Sequence, residues 1–381
     1  MKALFVAFVG CLALSCTSPA IREVPKADPT APGASIITAD DISIVLSRQV
    51  TILDYNALGL RYFPDTAVTV LRRSPTFQML LTAGTSSFLV EGNDLMRLTR
   101  AREVLTPGSS GSFDNGYAGI SGAARVNDRL YAIYSAEDHE GLPKIRDTPI
   151  PGYYGSIALA ESKDEGQTWS KLGRIITSAY PKNSGLLFGK AVQGVGEPGL
   201  VVESTGHYLY LYYTQHHRRR QICLARADLR EGPPLPGRWR KYWGEDFSQP
   251  GLGGLESPII SVASGGALFP HPTYSVVLNR YLIVFNVDRL NDLNSSGIYV
   301  AHSKDGLRWS EPSRLVQGNS IPRMGEPLFW MGTILWDDEG GRDGWLVYAY
   351  SERWGNNPWG KDQYRGIPHY MVGRRILFEV R

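Results

Sequence analysis

Two short segments of the chain carry the same turn. SKDEGQTWS runs from Ser162 to Ser170, and SKDGLRWSEP runs from Ser303 to Pro312. Both fit S-x-D-(x)-G-x-x-W, and each follows a strand-like run, SIALAE in the first case and GIYVAH in the second. The pattern has the chemistry of a hairpin. The Asp accepts backbone N–H groups across the turn, the Gly takes the positive-φ position, and the Trp packs back onto the sheet. Asp164 and Asp305 are therefore structural. Self-similarity in matching contexts marks a repeat architecture.

The repeat extends into five units. The first is DTAVTVLRRSPTFQMLLTAG with SSFLVEGNDLMRLTRAREVL, and the second runs from AGISGAARV to SKLGRII. The third spans GEPGLVV to GRWRKYW, the fourth FPHPTYSVV to EPSRLV, and the fifth GEPLFWMGTILW to RRILFEV. Each reads as an inner strand, two more strands and an outer strand. From about residue 41 no long segment has a helical apolar period; alternating runs such as Tyr208 to Tyr213 dominate. Twenty Tyr and nine Trp among 41 Gly and 24 Pro suit short strands and tight turns. The prediction is an all-β chain, a five-bladed β-propeller of four-stranded antiparallel blades over residues 41–381. The segment from Ile42 to Val50 is expected to complete the last blade. Forty basic and 37 acidic residues leave a net charge of +3. That balance excludes a dedicated nucleic-acid binder and suits a neutral sugar better than a charged polymer.

The N-terminus reads as an address. MKALFVAFVGCLALSC has one Lys and an apolar run too short to span a bilayer, which takes about 20 residues. Residues 1–15 are read as a signal peptide. Ala13-Leu14-Ser15-Cys16 resembles a bacterial lipobox, which makes Cys16 the lipidated residue; the alternative is an ordinary signal cleaved near Ala20. Residues 16–40 hold Pro19, Pro25, Pro29, Pro32 and Gly33, the composition of a flexible tether. The expected location is the cell envelope, lipid-anchored to a bacterial membrane, with the membrane met only through the N-terminal lipid and the domain a monomer. Cys223 is then the single thiol of the mature domain, so no disulfide forms within it.

In a propeller the first residues of the inner strands converge on one mouth of an axial channel. The residues so placed are Asp65, Asp114, Glu197, His271 and Glu326, with Glu256, in GLESPII, just before the fourth unit. The five-unit layout, the S-x-D-G-x-x-W turns and these acids resemble the five-bladed propellers of glycoside hydrolase families 43, 32, 62 and 130, over residues 60–381. Glycoside hydrolysis needs two carboxyl groups, one protonated and one ionised. The resemblance to family 43 implies Asp65 as general base, Glu256 or Glu197 as general acid, the remaining Glu as its tuner or a sugar-hydroxyl acceptor, and inversion through an activated water. The chain departs from the family pattern in having Glu where the tuner is Asp, no Pro after Asp65, and a long segment after Glu256.

Asp114, Glu140, His271, Glu326 and Trp354 are the candidate substrate contacts. Each also has a plainer reading: Asp114 before Asn-Gly as a turn, Glu197 and Glu326 before Pro as strand-entry devices, Trp354 as packing between blades. Glu137, His139 and Glu140 lie in EDHEG at the end of a second-unit strand, where loops carry binding groups. His216-His-Arg-Arg-Arg220 can take carboxylated or phosphorylated ligands, but is read as a solvated hairpin loop. No paired-Cys or H-E-x-x-H motif occurs, which argues against a zinc enzyme. No cofactor is expected to be required; His271 resembles the axial His that family-43 arabinanases place near a calcium or water cluster, which implies a calcium ion or water on the axis there. Two readings stand: a glycoside hydrolase acting on a poly- or oligosaccharide, or a non-catalytic carbohydrate-binding or envelope-assembly protein.

Overall fold

The computed structural model describes residues 33–145, 151–184, 190–217, 219–262, 265–288, 292–320, 326–352 and 369–380. Cys16 and the rest of the expected leader lie outside the described residues, and so does Trp354. Almost all regular structure is β-strand. Strands β1 (Ser35–Ala39), β2 (Ile42–Leu46) and β3 (Val50–Leu53) come first. Group one holds β4 (Thr69–Arg72), β5 (Phe77–Ala83), β6 (Ser86–Gly92) and β7 (Leu98–Leu105). Group two holds β8 (Tyr117–Val126), β9 (Arg129–Asp138), β10 (Tyr153–Ser162) and β11 (Ser170–Ile176). Group three holds β12 (Val192–Val202), β13 (Tyr208–Gln215), β14 (Gln221–Asp228) and β15 (Trp239–Trp243), with β16 (Asp246–Pro250) and β17 (Pro258–Ile260) at its rim. Group four holds β18 (Gly266–Ser275), β19 (Arg280–Asp288), β20 (Gly297–Ser303) and β21 (Ser313–Gln317). Group five holds β22 (Leu328–Trp336), β23 (Asp343–Ser351) and β24 (Tyr370–Val380).

These strands make four sheets reminiscent of propeller blades. Groups one and four are separate sheets, and β1–β3 join group five. Groups two and three merge because β10 runs parallel to β12, pairing Tyr153 with Val192 and Gly155 with Gly194. Only glycine permits that approach: a Cβ on Gly194 would meet the Gly155 carbonyl oxygen at 2.1 Å. β1 revises the expected tether. Ser35–Ala39 pairs with β2 and turns at Asp40, at φ 51, so the folded body begins inside the segment assigned to residues 16–40. The β-branched run Ile36-Ile37-Thr38 suits a strand, and its partner β2 lies against β24.

Successive groups share apolar cores. Leu80 and Leu89 of group one meet Ile120 and Tyr134 of group two. Ile133 and Ile157 meet Leu209 and Leu211 of group three. Tyr212 and Ile222 meet Ile283 and Phe285 of group four. Leu282 and Val284 meet Ile334 and Leu346 of group five. Leu335 and Val347 then meet Met79 and Leu81 of group one. The period-2 alternation explains why the middle strands are buried on both faces. In β5, Met79 and Leu81 face one neighbour and Leu80 the other, so every position is buried. Each such side chain contributes about 1.5–3 kcal/mol when fully buried.

The two repeated turns behave as their residues require. Gly166 N–H donates to Ser162 Oγ at 2.8 Å, and Thr168 N–H to Asp164 Oδ1 at 2.8 Å. In the second turn Gly306 N–H donates to Ser303 Oγ at 2.9 Å, and Leu307 N–H to Asp305 Oδ1 at 2.8 Å. Gly166 and Gly306 sit at φ 83 and φ 73. Trp309 packs edge-on against Tyr212 of the preceding group, 5.7 Å between centroids. Cys223 is a free, buried thiol. Among the described residues no helix is long and apolar enough to cross a membrane.

Candidate active site

One backbone device recurs on the innermost strands. β12 pairs Gly196 with Thr214 and then Gly199 with Tyr212, so Glu197 and Pro198 share one opposing residue, Tyr213. β18 slips the same way at Phe269-Pro270, and β22 at Met331-Gly332. The first residue of each bulge is left-handed: Glu197 at φ 46, Phe269 at φ 57, Met331 at φ 58. Side chains rarely adopt that conformation, and strain of this kind gathers where a side chain must be re-aimed. Proline suits the second position, where the ladder is already broken. All six residues, with Ser121 from a bulge in β8, line a single cavity of about 270 Å³.

The cavity has an acidic wall drawn from groups one to three. Asp65 precedes β4; its N–H donates to the Thr82 carbonyl at 3.0 Å, and its own carbonyl accepts from Tyr117 Oη at 2.6 Å. Thr66 locks the same segment onto group two by donating to the Ile120 carbonyl at 2.7 Å. Glu137 is the penultimate residue of β9, and its Oε2 lies 2.7 Å from His139 Nε2. Glu197 Oε1 lies 3.2 Å from His216 Nε2 and 3.5 Å from Tyr153 Oη.

Their surroundings drive Glu197 one way and the other two carboxyl groups the other. Burial, then the charge of Glu137, pushes Asp65 well above the ordinary carboxylate range; Glu197 adds to this and Tyr117 opposes it. Burial also raises Glu137, against the pull of His139. Burial alone would raise Glu197, but His216, Thr214 and Arg220 outweigh it and bring the carboxyl below its usual value. Tyr153 is held firmly protonated by burial and by Glu137 and Glu197.

The opposite wall is apolar. Leu268, Phe269, Pro270, Trp330 and Met331 from groups four and five line it, with Tyr62 from the first connection. Phe269 and Trp330 tilt against each other at 5.6 Å between centroids, and Tyr62 meets Trp330 edge-on at 6.2 Å. A sugar ring offers a C–H face that such rings can cover.

Of the expected site residues, Asp65 and Glu197 meet in the cavity. Glu256 does not line it: the carboxylate, with a side chain 4% exposed, pairs with fully enclosed Lys241, whose Nζ also donates to the Thr177 and Gly254 carbonyls at 2.7 Å. Asp114 is likewise away from the lining, buried in an ion pair with Lys171 and accepting from Tyr134 Oη at 3.2 Å. Its neighbours matter more. Asn115 accepts the His139 N–H at 3.0 Å, and a Cβ on Gly116 would collide with the His139 ring at 2.3 Å. The Asp-Asn-Gly turn thus seats the histidine that holds Glu137.

Glu140 is exposed and ties a loop, accepting from Ser110 Oγ at 2.6 Å and Gly111 N–H at 2.9 Å. Glu326 stands before β22 begins, out of phase with Glu197: the equivalent bulge position in group five is Met331. His271 lies just past the group-four bulge and is not part of the lining; burial lowers its pKa to about 4, which keeps the ring neutral. A calcium ion takes six to eight oxygen ligands. His271 has no ion-pair partner among the described residues, where no group of three His, Cys, Asp or Glu side chains is placed to hold a metal ion. Trp354 lies outside the described residues.

The described residues of the His216–Arg220 run depart only in part from their expected solvation, since Arg219 is exposed. His216 and His217 are 4% and 7% exposed, His217 stacks on Tyr180 at 3.5 Å, and His216 and Arg220 line the cavity. A charge run carries no sign of which way it folds, so composition pointed it outward.

No protein-family model matches the chain, and no curated protein matches it in sequence. Solved structures do resemble it in fold. A family 117 glycoside hydrolase from the marine bacterium Zobellia galactanivorans superposes with a TM-score of 0.55 at 13% identity, covering 88% of this chain and 91% of that one. An α-L-arabinofuranosidase from Lactobacillus brevis gives 0.53 at 10% identity, covering 85% and 94%. The catalytic domain of a family GH62 α-L-arabinofuranosidase from Coprinopsis cinerea gives 0.51 at 10% identity, covering 87% and 97%. At these identities the likeness is one of fold.

Proposed function

We propose that the chain is a glycoside hydrolase built on a five-bladed propeller, with Asp65, Glu137 and Glu197 as its working carboxyl groups. The single observation that carries this reading is their meeting in one cavity with opposed protonation tendencies. Two titratable groups whose surroundings push their pKa values apart are a signature of acid–base pairs. The five shared cores, the last of which packs group five on group one, support the ring.

In this reading Asp65 holds the proton and donates it to the leaving-group oxygen. Glu197, kept ionised by His216, accepts a proton from the attacking water. Burial keeps Asp65 protonated, and Glu137, fixed by His139, adds to that. Asp65 and Glu197 thus exchange the roles that the family-43 resemblance implied. The apolar wall covers the C–H face of the sugar. A panel of aryl glycosides tests the reading: wild type turns over at least one, and Glu197→Gln does not. Glycan binding with no turnover on any substrate would instead favour a non-catalytic carbohydrate-binding protein. We further propose that Cys16 carries the lipid that holds the protein on the envelope, so that Cys16→Ser moves it from the membrane to the soluble fraction.

A further inference from the structure

Among the described residues that line the cavity, Arg220 is the one Lys or Arg. Its backbone is fixed, with its carbonyl accepting the Ala267 N–H at 3.0 Å. Its stem lies on bare backbone: a Cβ on Gly266 would stand 2.8 Å from the Arg220 Cβ. The head group is less well served. Its nearest counter-charge is Asp288 Oδ2 at 3.9 Å, beyond hydrogen-bond reach, and the side chain is 34% exposed. Among the described residues the guanidinium donates no hydrogen bond, although it carries five N–H groups.

The Asp288 counter-ion is a weak one. Its side chain is 2% exposed, and burial lifts its pKa to about 6. Lys190, whose Nζ donates to the His216 carbonyl at 3.2 Å, feels Arg220 as a like charge. Arg220 and Lys190 thus set two like charges near each other, beside carboxyl groups that would repel an anion.

We propose that Arg220 receives a carboxylate carried by the sugar, so that the site takes uronic, rather than neutral, glycosides. The planar fork of a guanidinium matches a carboxylate with two parallel hydrogen bonds, which a hydroxyl cannot return. The inference rests on the glycoside-hydrolase reading of the same cavity. It also refines what the near-neutral net charge suggested, since one placed cation decides what net charge averages away.

Calorimetric titration of the whole protein with methyl glucuronoside, methyl galacturonoside and the matching methyl hexosides tests it. The expected result is about tenfold or tighter binding of a uronoside over its hexoside. Arg220→Gln is expected to erase the preference, and Arg220→Lys, which keeps the charge and loses the fork, to retain part of it. Circular dichroism of each variant checks that the fold is intact. Equal binding of acid and neutral sugars by wild type, no saturable uronoside binding, or a preference that survives Arg220→Gln in a folded protein would each overturn it. The two readings fail separately. Uronoside preference with no turnover on any glycoside sinks the hydrolase and leaves Arg220 assigned; turnover of neutral glycosides with no uronoside preference does the reverse.

Discussion

Glu197 and Glu256 belong to the same ten-stranded sheet, Glu197 on an inner strand and Glu256 on the segment between the rim strands β16 and β17. Both are mostly buried and both face a basic side chain, His216 in one case and Lys241 in the other. Glu197 sits on a strained bulge, opens on a cavity, and is held in its ionised form. Glu256 is enclosed against a lysine whose remaining donors go to backbone carbonyls. A buried ion pair of that kind holds a rim hairpin in place, whereas a carboxylate with a free side toward a cavity can act on a ligand. The difference lies in what the carboxylate faces, not in how deeply it is buried.

Substitutions at the two sites should therefore fail in opposite ways. Glu197→Gln is expected to lower kcat by about a thousandfold with the thermal midpoint little changed. Steady-state kinetics on the best aryl glycoside, with a melting curve on the same sample, decides it. Glu256→Gln should do the reverse: it strands the enclosed Lys241 charge, costing about 3 kcal/mol of stability in urea titration, while turnover per folded molecule stays near wild type. If Glu256→Gln silences a stable protein, the comparison breaks and the rim carboxylate belongs to the chemistry after all.

The two walls of the cavity give a second, smaller contrast. Glu197 and Met331 occupy equivalent bulges with nearly the same φ, one presenting a carboxylate and the other a thioether. Met331→Ala should cost about 2 kcal/mol, since the side chain is 6% exposed. Phe269→Ala should raise KM about tenfold and leave kcat nearly intact, because it removes binding common to ground and transition states. A kcat loss from Phe269→Ala as large as that of Glu197→Gln would mean that the apolar wall does more than hold the sugar.

Much of this was readable in the chain, for reasons that differ by level. The strands and both Ser-x-Asp turns follow from local alternation and turn chemistry, which act over a few residues. Asp65 and Glu197 were legible as cavity-lining positions, because unit starts converge once a repeat is recognised. Glu137 was named only as part of a loop, since nothing local distinguishes a β9 terminus that points inward from one that points to solvent. Glu256 and Glu326 do not join that lining, and local sequence did not separate them: the same Gly-Glu-Pro lies inside a strand at Glu197 and ahead of one at Glu326. A bulge is a register shift against a partner strand, and a single strand's sequence does not contain its partner.

The finest test concerns Glu137, whose effect on Asp65 is electrostatic and second only to burial. The reaction proposed here needs Asp65 protonated and Glu197 ionised. Plotted against pH, kcat/KM should fall on the acid side as Glu197 takes up a proton, and on the alkaline side as Asp65 loses one. Glu137→Gln removes a negative neighbour, so Asp65 gives up its proton at lower pH. The alkaline limb should then move to lower pH while the acid limb moves little. The same shift has a stability face. Asp65 has a folded pKa above its unfolded value, so the native state keeps a proton that the unfolded chain has released. Stability is therefore lost as pH rises through that window, and Asp65→Asn should remove this part of the pH dependence. An alkaline limb that stays fixed in Glu137→Gln, or moves upward, would take the proton-donor role away from Asp65.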